Sequence, residues 1–280
     1  MLFDKLHIMY IVFSLTSTIG ILAGGYFIKK DKWRNWFLLF FGLGSLLIHL
    51  SQMYYDLFTN YIDKEGIIGY YTQIVPYWPC NFFSLFIAIL ALIKNKNTFF
   101  WRHFAIFTAW GGIFGTLVAT FYPTFYILAS EAKKESYDTY KSMFSHTFLL
   151  IGCLYLYVGK FVKLRVSNVL SWLAGSACLM IIGLMLIGLF KISEYKYKLV
   201  FTTSVLFILE SPVEEVPWLI GPMMSLLVAP IIFLAGLIAE LFLPKEQRFY
   251  KTAPIVWNSF KTKLANSKVK KDKKETKEIK

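Results

Sequence analysis

The sequence predicts an all-α fold, a polytopic membrane helix bundle of about seven transmembrane helices. Hydrophobic residues make up 56% of the 280 residues, and the mean hydropathy is +0.53. The chain also contains 27 Phe and 17 Tyr, far outside the composition of a soluble globular domain. Its apolar runs are separated by short polar segments, and most runs are long enough to cross a bilayer. The predicted spans are residues 8–28, 35–58, 79–93, 99–122, 142–158, 167–190 and 218–243.

Each span has its own justification. The first is too long for a signal peptide, and no small-residue cleavage pattern follows it, so we expect a retained helix. The second carries its polar residues in its later half, and the third begins at Pro79, since proline suits the first position of a helix. The fourth contains Gly111, Gly112 and Gly115, small residues that let another helix approach closely. The remaining three are apolar runs bounded by charged segments.

Basic residues near the span ends predict the orientation. With the N-terminus outside and the C-terminus inside, 22 of the 30 Lys and Arg residues fall on the inner side. A further crossing by the moderately apolar residues 199–209 would reverse that bias for the tail, so we expect a re-entrant or interfacial segment there. These features predict a multi-pass protein of the cell membrane.

The predicted organisation is a bundle over residues 1–243 and a basic, disordered cytoplasmic tail over residues 244–280. Twelve of the 30 basic residues lie in that tail. The net charge of +13 therefore indicates attraction to anionic inner-leaflet lipids and not to nucleic acid. The alternative for the tail is a solvated extension with no specific role.

Cys80 follows Pro79 in the first turn of the third span, beside Asn81. At a helix N-terminus, unpaired backbone N–H groups and the positive end of the helix dipole favour a thiolate and can hold an oxyanion. The three cysteines form no CxxC pair, so we expect no disulfide framework, no metal and no cofactor. Cys153 and Cys178 are interpreted as packing residues, because cysteine in an apolar helix is usually one.

Polar residues of several spans fall at one predicted depth, near the outer side. Ionisable groups within spans are expensive unless they pair or line a wet cavity, so we expect an outer-leaflet pocket. Its candidate catalytic pair is Cys80 with His146, since a histidine can activate a sulfur nucleophile. Asn81, Gln52 and the loop residues Glu210, Glu214 and Glu215 remain alternatives for orienting the histidine or stabilising an oxyanion. The candidate pocket residues are His49, Trp110 and Tyr122.

Plainer interpretations stay open for these positions. His49 and Gln52, three residues apart on one helix face, would equally suit a hydrogen-bonded pair between helices. His146 could be a solvated helix terminus, and Glu240 could be structural or interfacial on the inner side.

Residues 35–244 resemble the bacterial YwaF-type integral membrane family. The order and spacing of several short motifs carry the resemblance: Pro79-Cys80-Asn81, Trp110-Gly111, Tyr122-Pro123, Phe144-Ser145-His146, Tyr195–Tyr197, Ser211-Pro212, Trp218 and Gly221-Pro222. That family is similar to the vertebrate transmembrane acyltransferase that places polyunsaturated acyl chains on ether phospholipids. It is more distantly similar to the androgen-induced type of membrane hydrolases. The resemblance implies Cys80 as nucleophile and His146 as base, although Tyr77-Trp78 and the basic tail depart from the family pattern.

The resulting hypothesis is a membrane-embedded lipid acyltransferase or lipid-ester hydrolase with membrane lipids as substrates. One alternative is a small-molecule transporter or ligand-binding membrane protein with an outer polar pocket, which interrupted segments and prolines in the last span would suit. Another is a scaffold that packs its aromatic surface on a second membrane protein.

Overall fold

Seven helices make up most of the chain that the computed structural model describes, namely residues 4–58, 79–121, 136–190 and 220–252 with the single positions 254, 258 and 262. They are α1 (Lys5–Tyr26), α2 (Asp31–Phe58), α3 (Pro79–Leu92), α4 (Phe99–Phe121), α5 (Tyr137–Val158), α6 (Asn168–Phe190) and α7 (Ile220–Leu241). A short 3₁₀ turn, Lys245–Gln247, follows α7. The described residues contain no strand, so the predicted all-α fold is confirmed.

Among the described residues, three helical segments are long and apolar enough to cross a membrane: Lys5–Tyr26, Asp31–Gln52 and Phe99–Phe121. Shorter apolar helices cover Cys80–Leu92, Asn168–Ile182 and Ser225–Leu241. Large apolar side chains on these helices, such as Phe13, Phe40 and Leu47, lie exposed on the outside of the bundle. An apolar exterior of this extent is typical of a protein whose solvent is lipid.

The helix α5 lies at the centre of the bundle and packs against α1, α2, α3 and α4. On the other side of α4, α6 packs against it and α7 packs against α6. The central helix α5 begins at Tyr137, five residues before the apolar run that predicts it. Its first turn is polar in sequence yet buries Thr139 and Lys141 against neighbouring helices, which a hydropathy pattern cannot indicate.

Glycines of α4 permit the close helix approach that the sequence predicts. A Cβ atom at Gly111 would overlap the ring of Phe83 on α3, and one at Gly112 would overlap the sulfur of Cys153 on α5. Since two faces of α4 are occupied in this way, α3 and α5 are held on neighbouring sides of it.

The first five helices run in alternating directions, so the bundle has two chemically distinct ends. At one, the Trp101 indole N–H donates to the Leu90 carbonyl at 3.1 Å, and aromatic rings dominate the packing. The other holds the start of α3 and α5, the end of α4 and most of the buried polar residues near them. We call these the Trp101 end and the Cys80 end.

The chain beyond α7 folds back onto the bundle. Glu240 is buried and accepts hydrogen bonds from the backbone N–H groups of Val166 at 3.1 Å and Phe249 at 2.6 Å. Its role is therefore structural, one of the two interpretations that its sequence position allows. Most of the basic tail, and residues 199–209, lie outside the described residues.

Candidate active site

His146 lies in the central helix at the Cys80 end, and it is buried. Its Nδ1 atom lies 2.6 Å from the carbonyl oxygen of Ser142, one turn earlier on α5. A carbonyl oxygen can only accept, so Nδ1 carries the proton. In the neutral ring this leaves the lone pair on Nε2, the arrangement that a general base requires.

Three serines join α2, α3 and α5 close to this histidine. The hydroxyls of Ser45 and Ser84 lie 2.8 Å apart. Ser45 also donates to the carbonyl of Ser145 at 3.2 Å. We call these residues the serine junction. All three are buried, so their hydrogen bonds fix the relative positions of the three helices at this depth.

Cys80 stands in the first turn of α3, where the sequence predicts it, and is partly buried. Its thiol donates to the side-chain oxygen of Asn81 at 3.6 Å, and Asn81 is itself buried. The predicted neighbourhood of thiol and carboxamide is therefore present. In this arrangement the carboxamide oxygen faces the sulfur.

Spacing along the helices places the other candidates relative to the serine junction. His49 follows Ser45 by four residues on α2, Cys80 precedes Ser84 by four on α3, and Lys141 precedes Ser145 by four on α5. Because the helices alternate in direction, all three lie on the same side of the junction, about 6 Å further toward the end of the bundle. Side chains of a helix tilt toward its N-terminus, which brings the His146 ring back to this level.

Electrostatic interactions agree with this placement. The Lys141 charge acts on His49, Cys80 and His146, and His146 also acts on His49. Lys141 is buried and forms an ion pair with Asp138 at 2.9 Å. The structure thus brings a thiol, two imidazoles and an ammonium to one end of three packed helices.

The remaining predicted site residues have different positions. Gln52 is buried on α2, one turn beyond His49. The Trp110 ring packs against Phe114 of its own helix and against Tyr157 of α5. Tyr122 and the three candidate glutamates of the last loop lie outside the described residues.

The other two cysteines differ from Cys80 in surroundings. Cys153 is fully buried, and its thiol donates to the Thr108 carbonyl at 3.5 Å. Cys178 is exposed on α6. Within the described ranges, no group of three or more His, Cys, Asp or Glu side chains could hold a metal ion.

A second polar cluster at the same end was not predicted. The His7 ring, fully buried, donates from Nε2 to the Thr120 carbonyl at 2.9 Å. The hydroxyl of Tyr10 lies 3.2 Å from that of Thr120. The hydroxyl of Thr147, next to His146 in sequence, donates to Ser14 at 3.1 Å. These bonds join α1 to both α4 and α5 beside the site.

A sequence signal for this cluster exists. Polar residues recur along α1 at positions 7, 10, 14 and 18, a spacing of three or four that defines one helix face. That face is the buried one, whereas the apolar residues of α1 point outward. A helical pattern with its polarity inverted identifies the inward face of a membrane helix.

Comparison with known proteins assigns the chain at the level of family. The family model described as the TMEM164 family matches residues 2–241, which include all seven helices and every candidate site residue. The chain belongs to the TMEM164 family. No curated protein and no solved structure matches it. Because TMEM164 is a family of transmembrane proteins, the match agrees with the apolar exterior and supports membrane localisation of this family member.

Proposed function

We propose that this TMEM164-family chain is a membrane-embedded lipid acyltransferase or lipid-ester hydrolase that uses Cys80 and His146. The proposal rests on two observations: Cys80 of α3 and His146 of α5 lie at the same end of the bundle, and the His146 Nδ1 donates to the Ser142 carbonyl at 2.6 Å. That bond leaves Nε2 as the basic atom. The resemblance to YwaF-type proteins and their acyltransferase relatives supports the same pair.

The proposed reaction has two halves. The Cys80 sulfur attacks the carbonyl carbon of an acyl ester while its proton passes to Nε2 of His146. A free thiolate in this partly buried setting would be costly, so attack and proton transfer are coupled. The C–O bond then breaks, the His146 proton goes to the departing alkoxide, and a thioester remains on Cys80.

In the second half, an alcohol or water gives its proton to Nε2 and attacks the thioester carbonyl. The C–S bond breaks, the departing sulfur recovers the proton, and the products are a new ester or a free fatty acid. The tetrahedral oxyanion of each half would be stabilised by unpaired N–H groups in the first turn of α3 and by the nearby Lys141 charge. Asn81 could contribute through its NH₂ group.

The test is intact-mass spectrometry of the purified full chain after incubation with native membrane lipids. An acyl adduct on Cys80 is expected in the wild-type protein and should be absent from both Cys80→Ala and His146→Gln. Cys178→Ser is the matched control, since that thiol is exposed and lies outside the site. Lipid turnover that continues unchanged in Cys80→Ala would exclude the proposed mechanism.

The finer topology belongs to this proposal. All seven helices would cross the cell membrane with the N-terminus outside, which places the Cys80 end in the outer leaflet, and the basic tail would contact anionic inner-leaflet lipids. The distribution of basic residues supports this orientation. Accessibility of single cysteines placed before α1 and after α7 to a membrane-impermeant thiol reagent tests it, and labelling of both from the same side would exclude it.

Two buried polar atoms favour a second candidate, a small-molecule transporter or binding protein. His49 Nε2 and Trp110 Nε1 have no hydrogen-bond partner among the described residues, and a polar ligand could supply one. Substrate flux into proteoliposomes that persists in Cys80→Ala but fails in His49→Gln would favour this function.

A further inference from the structure

A groove of about 520 Å³ runs between α2 and α5 at the Cys80 end. Leu47, Ile48 and Ser51 of α2 form one wall, and Tyr140 and Phe144 of α5 form the other. Leu47 is 63% exposed and Phe144 45% exposed, so the groove opens on the apolar outside of the bundle. Lipid therefore has direct access to it.

Both ends of the groove are closed. At the end nearest the start of α5, the Tyr137 hydroxyl donates to Ser51 at 2.6 Å, and the Tyr137 ring stacks on Tyr55. At the end nearer the middle of the bundle, Phe148 of α5 packs against α2, where a Cβ at Gly44 would meet its ring. Seven residues of helix separate Tyr137 from Phe144, so the groove is about 10 Å long, enough for the glycerol region of a lipid and the start of its chain.

Lys141 supplies the only positive charge lining this groove among the described residues. Its side chain is 7% exposed, while its partner Asp138 is 56% exposed and lies toward solvent. The ion pair uses one of the three N–H donors of the ammonium. A buried cation beneath an apolar, outward-facing groove suits an amphiphile with a negatively charged head.

We propose that this groove binds a glycerophospholipid, with the phosphate on the Lys141 ammonium and an acyl chain along Leu47 and Phe144. The inference deepens the proposed function and rests on it for the role of the bound lipid as substrate. Lys141 and Cys80 each lie one helical turn beyond the serine junction, toward the same end of the bundle, so a phosphate on Lys141 brings the neighbouring glycerol ester toward the thiol. Entry is lateral, from the bilayer.

The experiment measures binding of labelled phosphatidylglycerol and of diacylglycerol with the same chains to the full-length protein in a non-ionic detergent. Loss of one charge-assisted contact should weaken phosphatidylglycerol binding about tenfold in Lys141→Met. Diacylglycerol binding should not change, and Lys141→Arg should restore phosphatidylglycerol binding. Asp138→Asn keeps the cation, so it should bind phosphatidylglycerol at least as tightly as wild type.

Lys96→Met is the matched control. That lysine is also partly buried, but its ammonium donates to the Ala91 and Ile93 carbonyls at the Trp101 end. Equal affinity of Lys141→Met and wild type for phosphatidylglycerol would overturn the proposal, as would equal binding of the two lipids by wild type. Displacement of the lipid by inorganic phosphate at equal concentration would assign the groove to a soluble anion instead.

The acyl adduct on Cys80 separates the two proposals. Binding of phosphatidylglycerol that depends on Lys141, by a wild-type protein that never forms the adduct, would refute the proposed reaction and leave the lipid site standing.

Discussion

The contact between Gly112 of α4 and Cys153 of α5 provides a quantitative test of the helix packing beside the site. A Cβ at Gly112 would overlap the Cys153 sulfur, whereas one at Gly115, three residues later, has nothing within 4 Å among the described residues. Gly112→Ala and Gly115→Ala are therefore the same change on one helix in two surroundings. The first overpacks a buried contact, and the second does not.

The expected difference follows from two opposing effects. Replacing glycine by alanine within a helix stabilises it by about 1 kcal/mol. Overpacking a dense interior costs about 1–3 kcal/mol. Gly115→Ala should thus be neutral or stabilising, and Gly112→Ala should be less stable than Gly115→Ala by about 1–3 kcal/mol.

Adding Cys153→Ala to Gly112→Ala removes the overlapping atom. The two substitutions should therefore couple favourably, by about 1 kcal/mol or more. Unfolding in detergent should be followed by tryptophan fluorescence, because a thiol-reactive dye would also report the loss of a cysteine. Equal stability of Gly112→Ala and Gly115→Ala, together with no coupling to Cys153→Ala, would refute the close packing of α4 on α5.

Three further predictions concern side chains that form hydrogen bonds between segments. Ser84→Ala removes the hydrogen bond to Ser45 and should lower the free energy of unfolding by only about 0.6 kcal/mol, which is typical of such pairs in membranes. Thermal unfolding measures this loss, and a loss several times larger would contradict the arrangement of the serine junction. Glu240→Gln replaces the buried carboxylate that holds the segment after α7, which should cost about 1.5–3 kcal/mol of the free energy that docks this segment. Trypsin should therefore cleave the segment faster, and unchanged cleavage would be inconsistent with its docking. Tyr10→Phe removes the bond to Thr120 and should lower stability by about 1 kcal/mol, whereas no change in thermal unfolding would mean that the bond contributes nothing.

The helices were predictable because each contains a continuous apolar run. The close helix approach at Gly111 and Gly112 was predictable because glycine leaves room for a neighbouring helix. The first turn of α5 was not predictable, because its polar residues resemble a loop in a hydropathy pattern although other helices bury them. Lys141 was not predicted as a site residue for the same reason. A buried ammonium is visible only when the surrounding helices are in place.

The sequence could predict at which end of the bundle the site residues lie, but not toward which neighbouring helix each side chain points. Position within each span indicated that Cys80 and His146 share one end of the bundle, because antiparallel helices bring alternate ends together. Trp110 shows the limit, since a hydropathy pattern does not indicate that its ring packs against Tyr157 of α5. His7 and Tyr10 show the opposite case, in which a helical spacing of polar residues was present in the sequence and indicated an inward face.

The hydrogen bonds that join α2, α3 and α5 at the serine junction matter more for chemistry than for stability. In lipid, burying apolar surface gives no driving force between helices, so packing and polar pairs set their relative positions. The serine junction ties the helices that carry Cys80 and His146 to each other through one side chain, Ser45. Each bond contributes little to the free energy of unfolding, yet a displacement of about 1 Å between reacting groups can slow a reaction about 100-fold. For the proposed acyl transfer, Ser45 is therefore a positioning residue whose loss should affect turnover far more than it affects folding.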